Sequence, residues 1–350
     1  MSGVEAESGR VASEEELNVD LRGVAWSSVT RATVLVLVAG LLALPLVSGS
    51  AFVGFVSLLV LVFAVMASGY NLMLGWPNLF VFCPAALAII GGVTFALLMQ
   101  AFGVPYLLAI LFAGAVAALV GLVIAFSAVL IGSAFEIIIA TLAFEQVVFY
   151  VLTNWGEVGS TGISGVPSPS AGVLPVSPLV EQYLFLVLVL TVVTALVAVF
   201  DNSLTGSLAI ATSENEDLLR SIGYNPARYK LIAVSLGAFV LGVGGSLFAS
   251  VNGLITPADF TLHQTVFLLV ITVIGGRRTI HGPIVGALVM VGLPEVIRSF
   301  GFGDYRAYFV GATLIVVVLL LPGGILGGLS GRFGIDDRLP DLRGLWGSDR

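Results

Sequence analysis

The feature that most constrains the fold is a long stretch without cations, since no Lys or Arg occurs from residue 32 to residue 200. Hydrophobic residues make up 58% of the chain and charged residues 10%, and the mean hydropathy is +1.10. Soluble domains contain roughly 25% charged residues. The sequence therefore predicts an integral membrane protein built from apolar helices that pack within a lipid bilayer.

Apolar runs long enough to cross a bilayer, which takes about 20 residues, recur along the chain. They lie at 32–49, 52–74, 80–101, 105–131, 135–153, 182–200, 231–252, 260–276, 282–300 and 305–321. We expect an all-α polytopic membrane protein with about ten transmembrane helices over residues 32–321. Within 260–300, glycines and a proline leave a re-entrant pair of helices open as an alternative.

The polar segments indicate how the chain is oriented. Residues 1–31 form an acidic tail with too few apolar residues to fold alone, and residues 322–350 form a second polar tail. An even number of spans puts both tails on one side with every Lys and Arg except Arg298 and Arg306. Cytoplasmic loops carry the excess of cations. We therefore expect a multi-pass protein of the cell (plasma) membrane with both termini in the cytoplasm.

The long polar interruption at 201–230 contains a pattern typical of a short amphipathic helix. Ser213 and Glu216 have the spacing of a capping box, and Gly223 can adopt the left-handed conformation that ends a helix. Asn225 and Pro226 are typical of the cap and first position of a following helix. We predict a helix of about nine residues, which at this length needs a surface to dock on. An ordinary solvated loop is the alternative.

The sequence contains no motif typical of an enzyme active site. The only lysine, Lys230, does not follow the glycine pattern of a phosphate-binding loop, and no Ser/His/Asp or Cys/His set recurs. The single cysteine, Cys83, is expected to be a packing residue, and His263 and His281 do not have metal-ligand spacing. We expect no catalytic residues, no metal site and no cofactor in this chain.

An ionisable residue stands out inside an apolar run. Glu145 lies in the middle of the predicted span 135–153, next to Gln146 and one turn after Thr141. Glu145, Gln146 and Thr141 are therefore candidate residues of a translocation path. The alternative is that the carboxyl group of Glu145 is a hydrogen-bonded link between two helices. Both interpretations remain open. Four aromatic residues are expected at membrane interfaces: Trp76, Trp155, Tyr183 and Tyr305.

Several separated motifs occur in one order along the chain. They are YNLMLG (70–75), TLAF (141–144), TGISGVP (161–167), SIGYNPARYKL (221–231), GG (275–276) with GPIVGA (282–287), and PGGILG (322–327). With these motifs the sequence resembles, over most of its length from Tyr70, the permease subunits of branched-chain amino acid ABC importers, specifically the LivM-like branch.

The resemblance implies a subunit of an assembly. In that family a LivM-like and a LivH-like permease pair, each docks a cytoplasmic coupling helix on an ATPase subunit, and a binding protein delivers substrate outside. ATP and Mg²⁺ would then be bound by the two ATPase subunits, with no nucleic acid involved. The coupling position corresponds to Ser213, Glu214, Glu216, Asp217, Leu218, Arg220, Gly223 and Tyr224. The external loop would contain Thr161, Gly162 and Gly165.

Two departures from the family pattern bear on the cargo. Residues 76–86 are WPNLFVFCPAA where relatives are usually more polar, and Glu145 comes before Gln146, which occupies the usual acidic position. The first hypothesis is an importer of branched-chain or related amino acids. Urea, short amides or a sugar are alternative cargoes. A proton-coupled secondary transporter that uses Glu145 is the alternative from another class.

Overall fold

The structure, a computed structural model, describes residues 51–131, 133–168, 178–294, 311 and 324–326. These belong to the second of two compact units, 45–350, and the first unit, 1–44, is not described. The predicted span 32–49, the end of 282–300, nearly all of 305–321, the whole first tail and nearly all of the second therefore lie outside the described residues. The described part is almost entirely helical, and seven of its helices are long and apolar enough to cross a membrane.

Seven of the predicted spans agree with helices of the structure to within about five residues, whereas the span predicted at 282–300 corresponds to a shorter apolar helix at 282–292 among the described residues. The long ones are α1 (Ala51–Gly75), α2 (Pro84–Phe102), α3 (Tyr106–Ile131), α4 (Ala134–Asn154) and α5 (Pro178–Asp201). The polar stretch forms α6 (Leu204–Glu214) and α7 (Glu216–Ser221), and α8 (Pro226–Asn252) follows. A 3₁₀ turn (Pro257–Asp259) leads into α9 (Leu262–Gly275), and α10 (Gly282–Ala287) continues as a π-helical turn (Leu288–Gly292).

Helix α8 is the centre of the bundle and packs against α1, α2 and α3. Its close approach to α2 depends on glycines. A methyl group at Gly92 would lie 2.8 Å from the carbonyl oxygen of Gly245, and one at Gly91 would collide with the backbone of Gly242. Lipid supplies no hydrophobic drive between helices, so close backbone contact is what holds such a bundle together.

The two ends of the bundle differ in character. At one end, named here the β end, β1 (Ile163–Ser164) pairs antiparallel with β2 (Leu254–Ile255). At the other, named the basic end, Arg277 in the turn 276–281 donates a hydrogen bond to the carbonyl of Leu74. The segment 257–275 thus runs from one end to the other, as predicted for the span 260–276.

Two of the four aromatic residues expected at membrane interfaces are buried inside the bundle instead. Trp76 is fully buried, and its indole Nε1 donates a hydrogen bond to Asp201 Oδ1 at 2.9 Å. Tyr183 is also buried. The interface prediction was wrong for both, because each side chain is covered by neighbouring parts of the chain. Trp155 is exposed, and Tyr305 lies outside the described residues.

The packing of α8 on α2 predicts the effect of a single methyl group. A Cβ at Gly245 would collide with the carbonyl group of Ala88. We expect Gly245→Ala to lower the free energy of unfolding by about 1–3 kcal/mol, the usual range for overpacking. The measurement is thermal unfolding of the purified protein in detergent. Gly156→Ala is the control, since a Cβ there meets nothing within 4 Å. Equal melting temperatures for the two variants would contradict this account of the packing.

Candidate functional site

The polar stretch between α5 and α8 folds into two capped helices. Ser203 caps α6, with its Oγ accepting the amide of Gly206 at 3.1 Å. Asn215 has an extended backbone (φ −157°, ψ 102°), and its Oδ1 accepts the amide of Leu218 at 3.0 Å. An extended residue whose side chain accepts an amide of the first turn is an N-cap. Asn215 therefore ends α6 and starts α7.

The predicted start of the docking helix at Ser213 was wrong. Ser213 lies in the last turn of α6, and its hydroxyl donates to the carbonyl of Ile210 at 2.7 Å, so it does not form a capping box with Glu216. Asn is as good an N-cap as Ser, and α6 packs against α8, which extends the preceding helix through Ser213. As a result α7 has six residues, not about nine.

The predicted end of α7 and start of α8 are confirmed. Gly223 has φ +90°, in the left-handed region that favours glycine. Asn225 caps α8 by accepting the amide of Ala227 at 3.1 Å, and Pro226 occupies the first turn. The path from α7 to α8 is therefore one short turn.

Helix α7 and the turn that follows it present an apolar surface on the outside of the protein. Leu218 and Ile222 are 61% and 62% exposed, and Tyr224 is exposed beside them, whereas Leu219 is buried. The exposed side chains of Leu218, Ile222 and Tyr224 are named here the docking face. Exposed apolar residues that lie together, unlike single ones, mark sites of interaction.

Contacts with α8 hold this short helix in place. Glu216 forms an ion pair with Lys230 of α8, whose side chain is only 15% exposed. The ring of Tyr224 lies 6.3 Å from that of Tyr229. A six-residue helix is not stable alone. Its orientation is therefore set by α8.

A second set of contacts joins the end of α6 to α1 at the basic end. Glu214, the last residue of α6, lies 4.0 Å from the guanidinium of Arg278. The backbone amide of Arg278 donates to Asn71 Oδ1 at 3.1 Å, and Asn71 Nδ2 donates to the carbonyl of Thr279 at 2.9 Å. Asn71 is buried, and both ends of its amide hold the turn 276–281 against α1.

Arg277 in the same turn reaches the chain that leaves α1. Its guanidinium donates to the carbonyl of Leu74 at 3.2 Å and to Asn78 Oδ1 at 2.5 Å, and it lies 5.0 Å from the centroid of the Phe80 ring. Burial lowers the pKa of Arg277 from its usual value. The turn is thus fixed to both α1 and the segment that follows it.

The segment 76–83 between α1 and α2 is not helical, and it rises into the interior of the bundle. The amide of Phe82 donates to Thr141 Oγ1 of α4 at 2.9 Å, and that of Ala85 donates to Thr265 Oγ1 of α9 at 3.3 Å. Thr265 lies ten residues, about 15 Å, from the end of α9 at Gly275. Irregular backbone at such a depth is tolerated where protein groups satisfy it.

Glu145 lies beside this segment and is 1% exposed. Its Oε2 accepts a hydrogen bond from Thr265 Oγ1 at 2.5 Å, whereas its Oε1 has no hydrogen-bond partner among the described residues. The hydroxyl of Tyr70 also lacks a hydrogen-bond partner among the described residues. Glu145 therefore links α4 to α9 and leaves one oxygen available.

The other predicted site residues lie apart from Glu145 and Thr141. Gln146 is exposed, on a different side of α4. Thr161, Gly162 and Gly165 lie at the β end around β1. Gly162 has φ +75°, and a Cβ there would collide with the carbonyl of Ile255 in β2. The structure thus brings together Thr141 and Glu145, but not Gln146.

Comparison with known proteins places the whole bundle in one family. Residues 52–318 match the family described as "Branched-chain amino acid transport system / permease component". This chain belongs to that permease family.

The permease is similar to the "High-affinity branched-chain amino acid transport system permease protein LivM" of Escherichia coli K12, with 28% identity over 77% of this chain and 69% of LivM. The LivM of Salmonella typhimurium LT2 gives the same values. LivH of E. coli K12 is 30% identical over 35% of this chain and 39% of LivH. No solved structure matches the permease.

Sequence reasoning missed several residues that organise the site of this permease. Asn71 and Thr265 carried a weak signal, as polar residues inside apolar runs. Arg277 was counted only as a cytoplasmic charge, and Asn215 was placed inside the predicted helix that starts at Ser213. The first three of these residues bond to parts of the chain that are distant in sequence, and Asn215 competes with Ser213 as the helix cap. Sequence spacing alone therefore did not single these residues out.

The hydrogen bonds of Thr265 predict the effect of removing its hydroxyl. Thr265→Val would leave the amide of Ala85 and Glu145 Oε2 without this partner inside the bundle. Each buried polar group left unpaired costs about 1–3 kcal/mol, so we expect a clear fall in the melting temperature in detergent. The matched control is Thr272→Val, because Thr272 is equally buried on α9 but bonds only to its own helix, at the carbonyl of Leu268. A control variant as unstable as Thr265→Val would rule out this explanation.

Proposed function

We propose that this permease subunit imports branched-chain or chemically related amino acids by alternating access, in a transporter driven by ATP hydrolysis. The observation that carries the proposal is the family match over residues 52–318. The similarity to LivM over 77% of the chain supports the same cargo class. The apolar character of 76–83, next to Glu145, is compatible with amino acids that have apolar side chains.

The proposal includes partners that bind the nucleotide. A second, LivH-like permease completes the membrane part, two ATPase subunits bind ATP and Mg²⁺, and a binding protein delivers substrate from outside the cell. The names of the LivM and LivH relatives support a pair of permeases. The sequence has no phosphate-binding loop of its own, which supports a nucleotide site on separate subunits.

The proposed topology has about ten transmembrane helices and both termini in the cytoplasm, which makes the basic end cytoplasmic. Arg277, Arg278 and Lys230 all lie at that end, together with α7. This arrangement supports a cytoplasmic position for the docking face. The β end, with Gly162 and Gly165, would then meet the binding protein.

In the proposed mechanism, the docking face rests in a groove of an ATPase subunit. When the ATPase subunits close, they move α7. The ion pair of Glu216 with Lys230 and the short turn through Gly223 carry that movement to α8. The pairing of Glu214 with Arg278 carries it to the turn 276–281 and α1. The bundle then opens to the other side.

The docking face predicts a loss of coupling when it is charged. Leu218→Arg would place an unpaired charge in the apolar contact, and Gly223→Arg would force a left-handed backbone on a bulky residue. We expect substrate-stimulated ATP hydrolysis by the reconstituted transporter to fall tenfold or more, which corresponds to a rise of about 1.4 kcal/mol in the activation free energy. The melting temperature of the Leu218→Arg subunit is expected to stay unchanged, because this side chain is 61% exposed.

Leu218→Met is the control, since it keeps an apolar side chain of similar volume. Normal coupling in both arginine variants would show that this helix is not the docking element.

A transport assay tests the proposed function itself. Proteoliposomes that contain the complete assembly should accumulate labelled leucine only when ATP is present on the side of the membrane where the ATPase subunits are bound. Vesicles with the permease subunits alone should show no uptake under a proton gradient. Uptake by the permease alone would favour the proton-coupled alternative that uses Glu145, and ATP-driven uptake of urea or a sugar without leucine would replace the cargo.

A further inference from the structure

Gln146 is a polar side chain exposed in the middle of a transmembrane helix. Helix α4 has 21 residues, and Gln146 lies twelve residues after its start and eight before its end. These separations correspond to about 18 Å and 12 Å along the helix. Both ends are thus too far for the side chain to reach the membrane surface, so the amide lies at the depth of the hydrocarbon core.

The amide of Gln146 differs from other exposed polar groups on the membrane-spanning helices. Ser127 on α3 and Thr191 on α5 are exposed too, but each hydroxyl donates to a backbone carbonyl four residues earlier, at 3.0 Å and 2.8 Å. Gln146 makes no hydrogen bond with any described residue. An unpaired amide in hydrocarbon costs several kcal/mol. A polar group from outside the described residues is therefore expected to cover it.

The surroundings of Gln146 have the form of a helix-packing surface. Of the seven candidate spans in the described part of the chain, α4 is the least covered, with 22% of its apolar stretch buried against 72% in α1. Ile139, Ala143, Gln146 and Tyr150 follow one another at steps of four, three and four residues, so they share one side of α4. All four are exposed. The small Ala143 beside Gln146 permits close approach of another helix.

We propose that this side of α4 is the surface where a second permease chain, homologous to this one, packs against it in the membrane. This rests on the proposed function, in which two related permeases form the membrane part. LivH, which is 30% identical to 124 residues of this chain, shows that such related permease chains exist. Related chains pair most simply through equivalent surfaces about an approximate twofold axis. An amide suits that arrangement because it both donates and accepts hydrogen bonds.

Photo-crosslinking in the assembled transporter tests the surface. A benzophenone amino acid at position 146 is expected to crosslink to the second permease subunit, identified by mass spectrometry. The control is position 123 on α3, where Val123 is 66% exposed, and there crosslinking to lipid alone is expected. Crosslinks from 146 to lipid only, to residues 32–49 or 305–321 of the same chain, to another copy of this chain or to any other subunit would overturn the proposal. So would equally strong permease crosslinks from 123.

A substitution provides a second, independent measurement. Gln146→Leu removes the polar group but suits a lipid-facing position, so it is expected to lower the amount of second permease that co-purifies by about threefold or more, without lowering the melting temperature of this subunit. Thr191→Val is the matched control, as its hydroxyl bonds only to its own helix. Unchanged co-purification for Gln146→Leu would contradict the proposal.

The two failures can be told apart. If no second permease co-purifies even with the wild-type chain, the proposed function and this surface both fail. If an intact, transport-competent assembly forms but position 146 crosslinks only to lipid, the proposed function stands and this surface alone is wrong.

Discussion

Direct contact between backbones around α8 is the constraint on which the rest of the structure depends. In a bilayer, apolar side chains gain little by leaving lipid for protein, so helices associate through close packing and hydrogen bonds. Gly91 and Gly92 of α2 meet Gly242 and Gly245 of α8 at distances that exclude any side chain. Because α8 also contacts α1 and α3, these glycines hold the centre of the bundle as one unit.

The central helix α8 begins directly after α7 and the turn that carries the rest of the docking face. Gly223 and Asn225 separate α7 from α8 by a single turn, so a displacement of α7 acts on the helix with the most extensive packing. A second connection runs from Glu214 through Arg278 to Asn71 on α1. The two connections reach different helices of the same core, so a displacement at this end of the bundle would act on both α8 and α1.

The membrane interior contains a break in helical structure that hydroxyl groups make possible. The amides of Phe82 and Ala85 have no helical partner, and Thr141 and Thr265 accept them in place of a cap. Glu145 then accepts from Thr265, so one carboxyl joins α4, α9 and the start of α2 in a chain of hydrogen bonds. In transporters, interrupted helices and ionisable groups at membrane depth typically belong to substrate-binding sites.

The sequence by itself determined the membrane class, the positions of the described spans, and the punctuation at Gly223 and Asn225, because run length, backbone conformation and cap chemistry are local. The coupling role and the cytoplasmic termini remain predictions. Only the tertiary structure decided that Asn215 and not Ser213 caps α7, that Trp76 pairs with Asp201 instead of facing lipid, and that Thr265 donates a hydrogen bond to one oxygen of Glu145. The direction in which an apolar helix presents each polar side chain depends on helices that are distant in sequence. The hydrophobic periodicity of such a helix is weak, because both the lipid and the protein interior favour apolar side chains.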